Sequence, residues 1–244
     1  MSRLRAAAIL ALLAIASVVA SLAAPVAHGA DASFALDVWR RGDFVAQTNL
    51  VQCVGASMQM MLNIVGRDDR SASTQLKLQN LARSLSPARP DGKVRKGASV
   101  VGWSGGLNQL GAGPYRLVGA STLDEALGVA ARAIRLTGKP VGLLMWQGRH
   151  AWVMSGFRAT RDPLGGSDFK VTAATLLDPL YPRVSPRWGR GPRPGEVMTV
   201  AALGKHFLPR RAGPSANVWL SGFGGMYVMV VPYRMIRHGS ARRP

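Results

Sequence analysis

The chain has 244 residues, with 31 Lys or Arg against 12 Asp or Glu, and its formal net charge is +19. A single cysteine excludes internal disulfides and the paired thiols of a redox protein, and the histidines show no metal-ligand spacing. We therefore predict no metal and no cofactor.

The first thirty residues are typical of a secretory signal peptide. Arg3 and Arg5 give a positive start, residues 6–24 are almost entirely apolar, and the small residues Ala27 and Gly29 provide a cleavage pattern. The alternative is an uncleaved membrane anchor, because the apolar run approaches the length that spans a bilayer. In either case we expect residues 31–244 to form one domain, secreted or otherwise outside the cytoplasm.

The remaining chain is strongly basic. Without Arg3 and Arg5, 29 basic residues face 12 acidic ones, which leaves a net charge of +17. Such a charge favours anionic surroundings, for example a cell-envelope surface. The basic residues are scattered apart from the clusters at 93–96 and 183–193, which favours a solvated surface over a specific nucleic-acid site.

Hydrophobic periodicity predicts helices in the first half of the domain, after an N-terminal arm or short strand at 30–46. Thr122 and Glu125 form a capping box at the start of one of them, and Gly138 with Pro140 ends it. The predicted helices cover residues 52–65, 73–85 and 122–136, and residues 98–110 are either a helix or an irregular segment.

The second half of the chain changes to short apolar runs that predict strands. These runs cover residues 141–146, 151–157, 171–177 and 226–231, with a short helix at 200–207. Polar segments rich in Pro and Arg predict loops at 86–97 and 181–195. Helices followed by an antiparallel meander indicate an α+β fold.

Cys53 stands at the start of the first predicted helix, six residues after Gln47. A lone cysteine in a secreted chain is either an inert buried residue or a reactive thiol, and the helix start favours the reactive thiol because the helix dipole stabilises a thiolate. The Cys53 backbone N–H and the Gln47 amide are candidate donors to the oxyanion of a tetrahedral intermediate. Gly55 is expected to let a substrate backbone approach closely.

His150 and Asp178 are the candidate partners of this thiol. His150 opens an apolar strand and is suited to take the thiol proton and return it to a leaving group. Asp178 follows the next strand, and antiparallel pairing can bring its carboxylate to the imidazole that it would orient. Asp162 and Asp168, both in a turn, are rival orienting residues.

The order of Gln47, Cys53, His150 and Asp178-Pro179, together with the segment 111–118, resembles the C39-like branch of the papain-like cysteine peptidases over roughly residues 44–232. The resemblance implies a papain-like fold, in which an N-terminal helical part carries the cysteine and an antiparallel β-sheet carries the histidine and the aspartate. It also implies that Cys53 is the nucleophile, His150 the base, Asp178 the orienting residue and Gln47 an oxyanion donor.

We therefore predict an exported thiol hydrolase, a cysteine peptidase or amide hydrolase, that acts on a peptide or amide through an acyl-enzyme. The same residues support acyl transfer if an amine replaces water. The rival is a catalytically inactive papain-fold module that binds an anionic cell-envelope polymer through the 181–195 loop and the basic surface. The sequence leaves the oligomeric state open.

Overall fold

The computed structural model describes residues 33–88, 92–212 and 222–234, which belong to one compact unit. The predicted signal segment, residues 1–30, lies outside the described residues. Within the described ranges, no helix is both long enough and apolar enough to cross a membrane.

The helices lie close to where the periodicity predicts them. The long ones agree with the prediction to within two residues, and the segment at 98–110 is a helix. The helix over Leu123–Thr137 is capped at its start by Thr122, whose hydroxyl accepts the Glu125 N–H, and at its end by Gly138, whose φ of 66° is readily adopted only by glycine. The helices are α1 (Cys53–Ile64), α2 (Ala72–Ser84), α3 (Val100–Gln109), α4 (Leu123–Thr137) and the short α5 (Val200–Leu203), with a 3₁₀ turn at Arg41–Asp43.

Seven strands in the described part of the chain form one antiparallel sheet of order β2-β9-β3-β4-β5-β8, in which β1 pairs with the second half of β4. The α+β prediction, helices followed by an antiparallel sheet, is confirmed. The strands are β1 (Phe34–Asp37), β2 (Tyr115–Ala120), β3 (Val141–Met145), β4 (His150–Ala159), β5 (Val171–Leu177), β8 (Glu196–Thr199) and β9 (Tyr227–Pro232), and β6 (Val184–Ser185) pairs with β7 (Gly189–Arg190) in a separate ribbon.

Four features differ from the sequence prediction, the first being the short β6–β7 ribbon inside the segment 181–195 that was predicted as a loop. Strand β2 was not predicted, because its partner β9 lies more than a hundred residues later and no local pattern reports that pairing. Strand β8 was not predicted because it is a short, largely exposed edge strand without an apolar run. The helix predicted at 200–207 ends at Leu203 and continues as a turn.

The sheet is covered on both faces. Along β4, Ala151 and Val153 pack with helices α1 to α3, whereas Trp152 and Met154 pack with α4 on the other side. Because both faces of the sheet are buried, the sequences of the central strands β3, β4 and β9 are almost continuously apolar. The Ser57 hydroxyl on α1 donates to the Ala151 carbonyl at 3.3 Å, so the first turns of α1 lie beside the start of β4.

Candidate active site

Cys53 and His150 line the same cleft between α1 and the sheet. Cys53 is the first residue of α1 and is partly exposed, while His150 is the first residue of β4. The rest of the cleft is mostly apolar, with one cation at its rim. Its walls include Leu50, Val51, Val54, Val100, Leu144 and Arg149.

The imidazole of His150 is held by Asp178. His150 Nε2 lies 2.7 Å from Asp178 Oδ1, and the carboxylate is completely buried. Antiparallel pairing places Val153 opposite Leu177, so the residue that follows β5 lies close to the start of β4. Because Nε2 is directed to the carboxylate, Nδ1 is the ring nitrogen that is available to exchange a proton with the Cys53 thiol.

The Asp178 carboxylate is itself fixed in place. Its Oδ1 also accepts the Leu180 backbone N–H at 2.8 Å, so the same oxygen serves both the backbone and the imidazole. Its Oδ2 packs against Gly191, where an added Cβ would come 1.9 Å from that oxygen, and has no donor among the described residues. The 181–195 loop therefore forms one wall of the carboxylate site.

The surroundings of His150 favour its charged form. Burial disfavours an imidazolium, but the hydrogen bond to Asp178 and the interaction with the Cys53 thiol outweigh it and raise the pKa of His150 to about 9. The imidazolium is therefore the main form at neutral pH. A cation in this position stabilises a neighbouring thiolate.

The rival carboxylates lie elsewhere. Asp162 forms an ion pair with Arg135, with an oxygen 2.9 Å from the guanidinium, and Asp168 pairs with Arg161. Both carboxylates lie in the turn that follows β4, as expected. The structure thus brings Asp178 to the imidazole and leaves the two alternatives in surface ion pairs.

Gln47 lies beside the nucleophile segment and is buried. Its Nε2 donates to the Asn49 carbonyl at 2.8 Å, and its Oε1 has no donor within the described ranges. Its backbone N–H donates to the Pro179 carbonyl at 2.7 Å. Gln47 therefore joins the segment that leads to Cys53 to the turn that carries Asp178.

Trp146 contacts the imidazole of His150, whereas the sequence predicts for it only a place in the core or the cleft wall. Its indole stacks on the His150 imidazole with ring centroids 4.2 Å apart and an interplanar angle of 17°. Trp146 has a φ of 55°, uncommon for a residue with a side chain, and is held by a backbone N–H to the His206 carbonyl and by Nε1–H to His206 Nδ1. The indole covers one face of the imidazole; only the turn conformation places it there.

Gly55 does not have the predicted role. Its missing side chain faces α2 rather than the cleft, because a Cβ there would lie 2.8 Å from the Gln75 carbonyl oxygen and 2.9 Å from Gln79 Cβ. The glycine is required by the close packing of α1 against α2. The expectation that it admits a substrate backbone is replaced by this packing role.

Within the described residues, no cluster of three His, Cys, Asp or Glu side chains is placed to hold a metal ion. Comparisons of the chain with protein families, with curated proteins and with solved structures find no match.

Proposed function

We propose that this protein is an exported cysteine hydrolase of the papain-like, C39-like type that cleaves a peptide or related amide bond through an acyl-enzyme on Cys53. The observation that carries the proposal is the buried His150–Asp178 hydrogen bond, 2.7 Å long, at the edge of a cleft that Cys53 shares. A nucleophile at a helix start, a charged imidazole and an orienting carboxylate are the groups that such a reaction needs.

In the proposed reaction the Cys53 thiolate attacks the carbonyl carbon, a C–S bond forms, and the carbonyl oxygen takes the electron pair of the broken π bond. The Cys53 backbone N–H donates to this oxyanion, as does the second hydrogen of Gln47 Nε2. The C–N bond then breaks while the His150 imidazolium gives its proton to the leaving nitrogen. The products of this half-reaction are a thioester and a free amine.

In deacylation His150 acts as a base, whereas in acylation it acts as an acid. A water molecule attacks the thioester carbon and gives a proton to the neutral imidazole of His150. The C–S bond breaks, the acid is released, and the thiolate–imidazolium pair is restored. Asp178 accepts the Nε2–H of the imidazole throughout, which keeps Nδ1 directed to the reacting atoms.

The proposal is tested by trapping the acyl-enzyme. With p-nitrophenyl acetate, a stoichiometric burst of p-nitrophenolate and an acetyl group on Cys53, seen by mass spectrometry, are expected, followed by slow turnover. Cys53→Ala, made in the same full-length chain, is the matched control and should show neither. A wild-type protein that gives no burst and whose Cys53 reacts with iodoacetamide only after unfolding contradicts the proposal.

Replacing Gln47 with Ala tests the second oxyanion donor. Loss of one such donor costs a factor of roughly 10²–10³ in turnover, so acylation by p-nitrophenyl acetate should fall by at least about a hundredfold. Alkylation by iodoacetamide forms no oxyanion and should stay within about threefold of the wild-type rate. Unchanged acylation in a folded Gln47→Ala variant removes this side chain from the reaction.

A further inference from the structure

Two buried glutamines on α2 contact the segment that carries the proposed oxyanion donors. Gln75 and Gln79 are each only 2% exposed. They are four residues apart on the same helix, so their side chains lie on one face. Both point to residues 46–55, the segment that joins Gln47 to Cys53.

Gln79 holds the backbone on both sides of Cys53. Its Oε1 accepts the Gly55 N–H at 2.9 Å, and its Nε2 donates to the Val51 carbonyl at 3.0 Å. The first N–H groups of a helix have no partners inside the helix, and the N-cap residue Gln52 makes no side-chain capping hydrogen bond here. Gln79 therefore caps α1 from a different helix.

Gln75 holds the backbone on both sides of Gln47 in the same way. Its Oε1 accepts the Thr48 N–H at 2.8 Å, and its Nε2 donates to the Ala46 carbonyl at 3.0 Å. Four hydrogen bonds from two amides thus fix the chain before and after each proposed oxyanion donor.

The packing leaves this arrangement little freedom. The backbone of α2 approaches α1 so closely that only a glycine fits at position 55. The Gly55 N–H is buried, and a buried backbone group is costly to leave without a hydrogen bond, so the start of α1 has few alternative positions. The distance between Gln47 and Cys53 is therefore set by α2, which itself takes no part in the chemistry.

From these contacts we infer that Gln75 and Gln79 are positioning residues for the oxyanion hole. The inference rests on the proposed function. Gln79 fixes the Cys53 N–H and Gln75 fixes the Gln47 segment, so that both donors meet one oxygen atom. A displacement of about 1 Å in such a donor can cost about a hundredfold in rate.

The experiment compares two reactions of the same thiol in Gln79→Met, which keeps the side-chain length but makes no amide hydrogen bonds. Acylation by p-nitrophenyl acetate passes through an oxyanion, whereas alkylation by iodoacetamide does not. Acylation should fall about 10–100-fold, while alkylation stays within about threefold. Gln79→Glu, which keeps an acceptor for the Gly55 N–H, should give an intermediate loss of acylation.

Asn63→Leu is the matched control. Asn63 is also a buried amide that holds backbone groups, but it lies at the far end of α1 from Cys53, donates to the Asp69 carbonyl at 3.0 Å and accepts the Asp69 N–H at 2.9 Å. It should lose stability as Gln79→Met does and keep both reaction rates near the wild-type values. Thermal unfolding of all three variants identifies any change that reflects unfolding alone.

Three other results of these acylation and alkylation measurements would overturn the inference. Equal acylation in the wild type and in a folded Gln79→Met or Gln79→Glu shows that the amide does not position the donors. A parallel loss of acylation and alkylation assigns Gln79 to general stability. A wild-type protein that is never acylated overturns the proposed function itself, and with it the inference.

Discussion

Replacing His150 with Ala should slow the acylation of Cys53 at about pH 7 by a factor on the order of 10²–10⁴, the range by which a general acid–base group accelerates a reaction. The physical reason is the loss of the imidazolium, which is the main form of His150 below a pKa of about 9. Without that cation the thiolate loses its counterion and the leaving nitrogen of an amide loses its proton donor. Loss of the thiolate accounts for about thirtyfold of the effect, because a free cysteine with a pKa of ~8.5 is about 3% thiolate at about pH 7, and the missing proton donor accounts for the rest.

The pH profile of iodoacetamide alkylation separates this explanation from general damage to the fold. In the wild type the alkylation rate should already be high at about pH 6, where a free thiol has less than about 1% thiolate. In His150→Ala the rate should rise about tenfold per pH unit and approach that of the wild type above pH ~9. A wild-type profile that follows a free thiol would show that His150 does not ionise Cys53.

Replacing Asp178 with Ala should also have a large effect, whereas Asp178→Asn should be milder. The alanine leaves the imidazole and the Leu180 N–H without their shared acceptor, and breaking a buried pair costs about 3–5 kcal/mol of unfolding free energy. We expect acylation to fall by a factor on the order of 10⁴, as when the orienting carboxylate of a serine triad is lost.

Asp178→Asn is expected to keep the orientation of the imidazole. The Leu180 N–H donates to the same Oδ1 as His150, so the amide should turn its oxygen to that position and leave its nitrogen toward Gly191. What is lost is the negative charge, which helps to raise the pKa of His150 to about 9. The imidazolium should therefore be lost at lower pH in this variant than in the wild type.

An NMR titration of the histidine ring measures this directly. The His150 signal should titrate with a midpoint near 9 in the wild type and clearly lower in Asp178→Asn. Urea unfolding of both Asp178 variants controls for stability. Equal midpoints in the wild type and Asp178→Asn would mean that the carboxylate does not hold the imidazolium.

The sequence alone predicted the long helices and the buried strands β3, β4, β5 and β9, and it identified the four candidate site residues. The helix at Cys53 and the strand that follows His150 were predicted from periodicity over neighbouring positions, and the structure extends that strand to include His150. The chain has a single cysteine, so only one thiol can be the nucleophile, and the order of Gln47, Cys53, His150 and Asp178 is typical of a thiol hydrolase.

The tertiary structure alone decided which groups meet. Asp178, and neither Asp162 nor Asp168, contacts His150 because of the register between β4 and β5, and a local sequence pattern does not predict that register. The stacking of Trp146 on His150 depends on an unusual turn conformation. The roles of Gln75 and Gln79 were hidden because a polar residue on a helix looks the same in sequence whether it faces water or a buried backbone. These contacts join residues far apart in the chain, and only packing sets their distances.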